Sequence, residues 1–219
     1  MTEANCITTA TAGQDIWVLN QLNHKRNGYF LEIGAYDGIK YSNTYRLEKI
    51  YDWTGICVEP IPKIYVNLVR SRNCICENCC VYHSNGTVKF FQRGTKGRSA
   101  SAIYDEESTE FIKSIMKNPA WLIDSPTMTL LSLLNKHNAP KTIDYFSLDT
   151  EGSEYQILKD FDFDTYKFLT LTVEHNCFGK NNDTRQITKR DNIRTLLTKN
   201  GYVLCEGKAH NEDWYVYPK

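Results

Sequence analysis

The chain contains 219 residues, and its 26 Lys and Arg residues balance 26 Asp and Glu residues to give a formal net charge of zero. A hydrophobic fraction of 41% and a charged fraction of 24% are typical of a soluble globular domain, so they exclude a disordered tail, a miniprotein scaffold and a membrane span. The absence of a basic excess argues against a dedicated nucleic-acid binder and gives no support to binding of anionic membranes.

Short apolar runs alternate with longer helical patterns along the chain, and their order predicts the fold. The predicted strands span residues 29–33, 55–59, 74–82, 143–148, 168–173, 202–205 and 215–217. The predicted helices span residues 42–50, 62–71, 105–117, 129–138, 153–159 and 187–200. This alternation predicts a mostly parallel sheet with helices on both faces, and the close spacing of the last two strands predicts a terminal hairpin with one antiparallel strand.

The stretch after the third predicted strand is less regular. Asn85-Gly86 is a turn signal that predicts a hairpin, with residues 87–92 as the return strand. Residues 93–101 are rich in Gly, Ser and basic side chains, and we expect a loop there.

The chain has eight cysteines. The N-terminal sequence carries Glu3 where a signal peptide needs a cationic region, and it lacks a sufficiently long apolar run, so we expect a reducing, cytoplasmic compartment and free thiols. The run Cys74-x-Cys76-x-x-Cys79-Cys80 has the count of a zinc site, but no second CxxC follows at zinc-finger spacing. We therefore interpret these cysteines as small apolar residues packed in a strand.

The first predicted strand leads into a glycine-containing loop. Gly34 and Gly38 allow a tight turn and a close approach of the backbone to a ligand. Glu59 ends the second strand, roughly 20 residues further on, where an acidic residue usually binds the hydroxyls of a ribose. The alternatives are an ordinary strand–turn–helix connection and a solvated glutamate at a strand end. The glycine loop and the acidic residue at the expected spacing together favour a nucleoside-binding site.

Five segments together resemble the FkbM family of S-adenosylmethionine-dependent methyltransferases. They are GQDIWVL at 13–19, GYFLEIGAYDG at 28–38, SNT at 42–44, WTGICVEP at 53–60 and IDYFSLDTEGSE at 143–154. The resemblance implies a class I methyltransferase fold, a Rossmann-like three-layer α/β/α sandwich with a mostly parallel seven-stranded sheet and an antiparallel last strand. We expect one domain over residues 1–219, with a cofactor-binding half at 13–92, a variable substrate or lid segment at 93–128, and catalytic strand ends and a terminal hairpin at 129–219.

The resemblance also implies which residues bind the S-adenosylmethionine. Those expected around its methionine half are Glu32, Gly34, Ala35, Asp37, Gly38, Ser42, Asn43 and Thr44. Those expected around its ribose and adenine are Glu59, Pro60, Asn78, Cys79 and Ser101. Gln14 and Asp15 match a family motif ahead of the first strand, to which the sequence assigns no role.

A neutral alcohol is a poor nucleophile, so methyl transfer to a hydroxyl needs a general base, a metal ion, or both. Asp149 follows one predicted strand, and Glu174 and His175 follow the next. We predict these three as the catalytic residues and as ligands of a divalent cation such as Mg or Mn. In a metal-free alternative, His175 or Asp149 is the base. A purely structural hydrogen bond of His175 is the third possibility.

The predicted function is O-methylation of a sugar hydroxyl, with a terminal deoxyhexose of the rhamnose or fucose type on a glycan as the favoured acceptor. The side chains that could stack on a sugar ring or bind its hydroxyls are Lys96, Arg98, Tyr104, Trp121 and Trp214. The alternatives are an O-methyltransferase of a polyketide-type small molecule, an RNA methyltransferase and a non-catalytic cofactor-binding module. The expected partner is a small-molecule or glycan acceptor, with neither nucleic acid nor membrane involved.

Overall fold

The computed structural model describes residues 8–92, 101–104, 122–177, 184–205 and 211–218. Within these ranges no helix has the length and apolar character needed to cross a membrane. The helix predicted at 105–117 lies outside the described residues, as do Lys96, Arg98 and Trp121.

Six helices and eleven strands are described. The helices are α1 (Gln14–Gln21), α2 (Tyr45–Tyr51), α3 (Pro62–Ser71), α4 (Leu130–Lys136), α5 (Glu154–Leu158) and α6 (Thr184–Lys199). The strands are β1 (Tyr29–Ile33), β2 (Thr54–Val58), β3 (Ile75–Glu77), β4 (Cys80–Val81), β5 (Gly86–Phe91), β6 (Ala102–Tyr104), β7 (Leu122–Met128), β8 (Thr142–Leu148), β9 (Lys167–Glu174), β10 (Val203–Cys205) and β11 (Glu212–Val216).

Local sequence sets several helix ends. Pro62 occupies the first turn of α3, where its missing N–H group costs nothing. The side chain of Thr129 accepts a hydrogen bond from the backbone N–H of Ser132 and caps α4. Gly201 follows α6 with a φ of +86°, a conformation that glycine adopts without strain.

The main sheet has seven strands in the order β3-β2-β1-β8-β9-β11-β10. Strands β1, β2, β3, β8 and β9 run parallel to one another, whereas β11 is antiparallel to both β9 and β10. The main sheet has a hydrophobic core on each face. Successive side chains of β1 point to opposite faces, so alternate residues pack into different cores. Leu31 packs with α4, α5 and α6, and Phe30 packs with α1, α2 and α3. This confirms the predicted three-layer class I methyltransferase fold.

A second sheet, with the order β4-β7-β5-β6, stands beside the main one. The predicted strand at 74–82 is divided, since β3 belongs to the main sheet and β4 to the second. The predicted hairpin is wrong, because β5 pairs antiparallel with β6 and β7. The reason lies in Asn85, whose side chain accepts from the Thr129 N–H at 2.8 Å and donates to Ser132 Oγ at 3.1 Å. Asn85 thus connects to the start of α4 instead of forming a two-residue turn.

Candidate active site

A cavity of about 680 Å³ lies at the carboxyl ends of β1, β2, β8 and β9, the edge at which open α/β sheets bind ligands. Its volume falls within the usual range for small-molecule sites. Residues of the second sheet, including Cys80, Phe90 and Ile103, form an apolar wall, and the strand ends of the main sheet form a polar one. The cavity therefore offers both an apolar surface and hydrogen-bonding groups.

Gly34 forms part of the cavity floor and cannot be replaced without strain. Its φ is +89°, and a Cβ built there would lie 2.0 Å from the carbonyl oxygen of Asp149. The N–H groups of Gly34 and Ala35 both donate to the Val58 carbonyl at 3.0 Å, which holds the loop against β2. The backbone of β1 thus turns sharply, passes close to β8 and leaves the cavity above it open.

Glu32, at the cavity edge, organises the segment that the resemblance assigns to the methionine carboxylate. Its carboxylate accepts hydrogen bonds from Ser42 Oγ at 2.8 Å, from Asn43 N–H at 2.6 Å and from Thr44 Oγ1 at 2.7 Å. The Ser42 and Thr44 hydroxyls therefore face Glu32. Asn43 lines the cavity, and its buried Oδ1 has no hydrogen-bond partner among the described residues. An unpaired buried acceptor in the wall fits the ammonium group of S-adenosylmethionine.

Arg72, which sequence reasoning missed, completes this network from the end of α3. Its guanidinium donates to Glu48 at 2.8 Å and to Glu32 at 3.3 Å, and its side chain is 0% exposed. It also donates to Ser42 Oγ and Thr44 Oγ1. In the sequence, an arginine after a helix resembles a solvated cation near a helix C-terminus, so no local signal distinguishes it.

Glu59 lies in the cavity wall and is 5% exposed. One carboxylate oxygen accepts from Tyr36 N–H at 3.0 Å and the other from Ile61 N–H at 2.8 Å. Burial outweighs these hydrogen bonds and raises the pKa of Glu59 to about 7. Each oxygen keeps lone-pair capacity, so the geometry is compatible with the predicted ribose contact, which stays a prediction.

The other residues predicted to bind the cofactor divide into two groups. Pro60, Cys79 and Ser101 line the cavity, together with Glu32, Gly34, Asn43 and Glu59. The cavity lining does not include Ala35, Asp37, Gly38, Ser42, Thr44 or Asn78.

Three members of the second group have packing or loop contacts. The Asp37 carboxylate accepts from the Ile39 and Lys40 N–H groups. Gly38 packs against α3, where a Cβ would meet Ser71 Oγ at 2.4 Å. The Asn78 amide donates to the Glu59 carbonyl at 2.8 Å, so it fixes the end of β2. These residues shape the backbone around the cavity.

Three carboxylates meet at the polar wall. One ligand oxygen from each of Asp149, Glu151 and Glu174 lies within 4.8 Å of the others. Burial and mutual repulsion raise the pKa of Glu151 to about 8 and that of Glu174 well above its ordinary value. The Asp149 side chain is exposed to the cavity, yet desolvation by the surrounding protein raises its pKa to about 6, although its hydrogen bond with Glu174 opposes the shift. The group can therefore accept a proton near neutral pH or hold a cation.

Glu154 shapes the loop that carries two of these carboxylates. Its Oε1 accepts from Thr150 N–H at 3.0 Å and from Gly152 N–H at 3.1 Å, and its Oε2 pairs with Lys189 of α6 at 3.0 Å. The loop needs this support because Glu151 has a φ of +58°, which is unusual for a residue other than glycine.

His175 is not brought to the carboxylate group. Its Nδ1 accepts from Cys177 N–H at 3.1 Å, and its Nε2 lies 3.6 Å from Asp213 Oδ1. Asp213 in turn accepts two hydrogen bonds of 2.7 Å from Arg194. Successive residues at a strand end point in opposite directions, so Glu174 faces the cavity and His175 does not line it. Glu151, two residues after Asp149, lies where His175 was expected.

The described aromatic candidates for sugar binding do not line the cavity. Tyr104 pairs with Lys89 between β6 and β5. Trp214 is 3% exposed, packs on Trp17 with ring centroids 5.0 Å apart, and donates its indole N–H to Glu212. Trp214 can therefore affect ligand binding only indirectly, through its hydrogen bond to Glu212.

The sheet order, the glycine loop and the cavity at the strand ends together define a class I methyltransferase. The chain belongs to the FkbM methyltransferase family, whose profile, described as a methyltransferase FkbM domain, matches residues 32–204. Its methyl donor is S-adenosylmethionine. No curated protein has a significant sequence match to this chain.

The chain is similar to two solved methyltransferase structures. The METTL16 MTase domain is 12% identical with a TM-score of 0.51, and the match covers 99% of this chain and 71% of that one. A precorrin-6y C5,15-methyltransferase from Geobacter metallireducens GS-15 is 11% identical with a TM-score of 0.48, and the match covers 99% of this chain and 91% of that one. At 12% identity, the likeness to the METTL16 MTase domain shows the fold alone.

Proposed function

We propose that the protein transfers the methyl group of S-adenosylmethionine to a hydroxyl of a sugar, with a terminal deoxyhexose of the rhamnose or fucose type as the acceptor. The observation that carries the proposal is the carboxylate group of Asp149, Glu151 and Glu174 in the cavity wall. An alcohol hydroxyl is about as weak an acid as water, so it needs a nearby proton acceptor or cation before it can attack. The bound cofactor supplies an activated methyl group.

In this proposal Asp149 is the general base. Its carboxylate is open to the cavity at the end of β8, beside the floor formed by Gly34. Glu174 is held by amide donors from Asn176 at 2.8 Å and Asn211 at 3.2 Å, so it can orient the attacking hydroxyl. Asp149 would accept the proton of the acceptor hydroxyl, and S-adenosylmethionine bound in the cavity would supply the methyl group to the oxygen and leave as S-adenosylhomocysteine.

We also propose a divalent cation at the same carboxylates. Asp149, Glu151 and Glu174 offer the hard oxygen donors that Mg and Mn prefer, and they are close enough to share one ion. A bound cation would acidify the acceptor hydroxyl and offset the repulsion among the three carboxylates. Ion binding can be measured by isothermal titration of chelator-treated protein with MgCl₂ or MnCl₂, and full activity after chelation would remove the ion from the mechanism.

The polarity of the wall supports a polyhydroxyl acceptor. Carboxylate and amide groups of Glu151, Glu174, Glu212, Asn176 and Asn211 line this end of the cavity, and carboxylates accept strong hydrogen bonds from hydroxyls. The same carboxylates repel a phosphate polymer. The chemistry therefore favours a sugar over RNA.

We further propose that the whole chain acts as one domain in which the second sheet and the segment 93–128 select the acceptor. The second sheet already supplies the apolar wall of the cavity through Cys80, Phe90 and Ile103. Free thiols at the described cysteines support a reducing, cytoplasmic setting.

The test is incubation with labelled S-adenosylmethionine and 4-nitrophenyl glycosides of rhamnose, fucose, mannose and galactose, followed by mass spectrometry. We expect methylation of the deoxyhexosides, and loss of at least about 100-fold in Asp149→Asn with cofactor binding retained. Asp164→Asn, at a fully exposed position, is the matched control. Methylation of a phenolic polyketide or of RNA, with none of the glycosides modified, would reject the sugar acceptor.

A further inference from the structure

Glu212 lies in the cavity wall next to the proposed catalytic carboxylates, yet it belongs to a different strand. It is the first residue of β11 and pairs directly with Glu174 of β9. It is not one of the three carboxylates that meet at a single point. Its position extends the polar wall away from Asp149 and towards the start of α1, where Gln14 also lines the cavity.

Two side chains fix the orientation of the Glu212 carboxylate. Its Oε1 accepts from Gln14 Nε2 at 2.7 Å and from Trp214 Nε1 at 2.5 Å. The Gln14 amide is itself fixed, because its oxygen accepts from Ala12 N–H at 3.0 Å. Trp214 is braced by its contact with Trp17. Both donors bind the same oxygen, and no hydrogen bond within the described part of the chain reaches Oε2.

This arrangement is costly if it serves only the fold. Taking a carboxylate even partly out of water is unfavourable unless it is well paired. Glu212 is partly buried, burial raises its pKa to about 7 against the two hydrogen bonds, and no cation among the described residues offsets the shift. Gln14, at 2% exposure, and Trp214 are both committed to one oxygen of that carboxylate. A glutamine at position 212 could satisfy the same two donors without a charge. The carboxylate and its open oxygen in the cavity wall are explained if a ligand donates to Oε2.

We propose that Glu212 binds the methyl acceptor by accepting a hydrogen bond from a hydroxyl adjacent to the one that is methylated, with Gln14 and Trp214 as positioning residues. The proposal rests on the sugar O-methyltransferase function and adds to it the requirement for an acceptor with neighbouring hydroxyls. It also gives a role to Gln14, which the sequence singled out without assigning one.

The first experiment separates acceptor binding from cofactor binding. With labelled S-adenosylmethionine and 4-nitrophenyl α-L-rhamnoside, Glu212→Gln should raise the KM for the glycoside about 10- to 100-fold, as expected for loss of a hydrogen bond to a charged group. The KM for the cofactor should stay within about twofold of wild type. Trp214→Phe keeps an aromatic side chain and removes the indole N–H, so its effect should be smaller and in the same direction. Asp164→Asn, at a fully exposed position outside the second sheet and the segment 93–128, is the control.

The second experiment removes the partner on the acceptor. The substrates are rhamnosides that each lack one hydroxyl. For one of these analogues, the KM with wild type should equal the KM of the intact glycoside with Glu212→Gln. For that same analogue, Glu212→Gln should cause no further increase in KM. Additive losses for every analogue would overturn the proposal. An unchanged glycoside KM in Glu212→Gln together with a lower melting temperature would show that the residue is only structural.

A binding measurement distinguishes failure of this proposal from failure of the proposed function. Trp214 donates to Glu212, so its fluorescence reports on ligands at Oε2 when rhamnose or fucose is titrated into protein saturated with S-adenosylhomocysteine. One outcome is a saturable fluorescence change in wild type that is lost in Glu212→Gln, with no methyl transfer to the sugar. This outcome would support the binding site and reject the sugar as the substrate. Turnover of the glycosides with unchanged KM in Glu212→Gln would reject the binding site and retain the function. Neither turnover nor a fluorescence change would reject both.

Discussion

Replacement of Arg72 by methionine tests whether the buried charge network holds the cofactor loop. The guanidinium is 0% exposed and binds Glu32 and Glu48, two carboxylates that are themselves 3% and 5% exposed. Methionine keeps the apolar volume of the side chain, leaves Glu32 without its cation and leaves Glu48 with Lys49 alone. The substitution thus removes one partner of a buried ion pair, which is much more costly than removal of an exposed one.

The expected loss of folding free energy depends on the contacts that each carboxylate retains. Glu48 keeps Lys49 at 2.7 Å and the Asn73 N–H at 3.0 Å, and Glu32 keeps its hydrogen bonds from residues 42–44. Breaking a buried pair costs about 3–5 kcal/mol, and the retained contacts set the expected loss towards the lower part of that range. At about 2–4 °C per kcal/mol for a chain of this size, a loss of about 3–4 kcal/mol should lower the melting temperature by about 6–16 °C.

Urea denaturation and calorimetry measure the loss, and isothermal titration measures binding of S-adenosylmethionine to the folded protein. We expect weaker cofactor binding in Arg72→Met at a temperature where it remains folded, with partial recovery in Arg72→Lys. Arg26→Met is the matched control, because Arg26 and its partner Asp52 are 54% and 63% exposed and should contribute less than about 1 kcal/mol. A loss in Arg72→Met no larger than in Arg26→Met would refute the reasoning.

Three further substitutions address the floor, the ribose contact and the ion pair of the site. Gly34→Ala should abolish cofactor binding measured by calorimetry, whereas Gly13→Ala, with a φ of +80° but open space around it, should cost only about 1–3 kcal/mol of strain. Glu59→Ala should weaken cofactor binding at least about tenfold, and wild-type affinity would count against the ribose contact. Arg194 outweighs burial and holds the pKa of Asp213 below its usual range, so this pair stabilises the fold above about pH 4 and loses its effect as pH falls. Asp213→Asn should therefore flatten the acid limb of the stability curve measured by urea titration.

The main sheet was predictable because each of its strands is specified locally. β1 and α3 begin and end as predicted, since an apolar run between loop signals and a proline in the first helical turn are both readable from neighbouring residues. The second sheet was not predictable in this way. β7 contains Pro126, which argues against a strand, and its partners are far away in the chain. The same non-local contacts removed the hairpin expected at Asn85.

The site residues that could be predicted are those at the carboxyl ends of parallel strands. Gly34, Glu59, Asp149 and Glu174 line the cavity as residues that directly follow or end parallel strands. Adjacent residues at a strand end point to opposite sides, so a shift of one position changes which side chain faces the cavity. Glu174 faces it and His175 does not. Arg72 depends on tertiary packing, because its partners come from β1 and α2. These two kinds of information are absent from a local sequence pattern.

The zero net charge of the chain conceals a strong local asymmetry. Six carboxylate residues line the cavity, namely Glu32, Glu59, Asp149, Glu151, Glu174 and Glu212, and its described lining includes no Lys, Arg or His. Such a low-dielectric, acidic surface favours a cation. The sulfonium of S-adenosylmethionine is positive, and the thioether left after methyl transfer is neutral at that atom. We therefore expect these carboxylates to attract the sulfonium more strongly than the neutral thioether, which would favour exchange of spent cofactor for fresh.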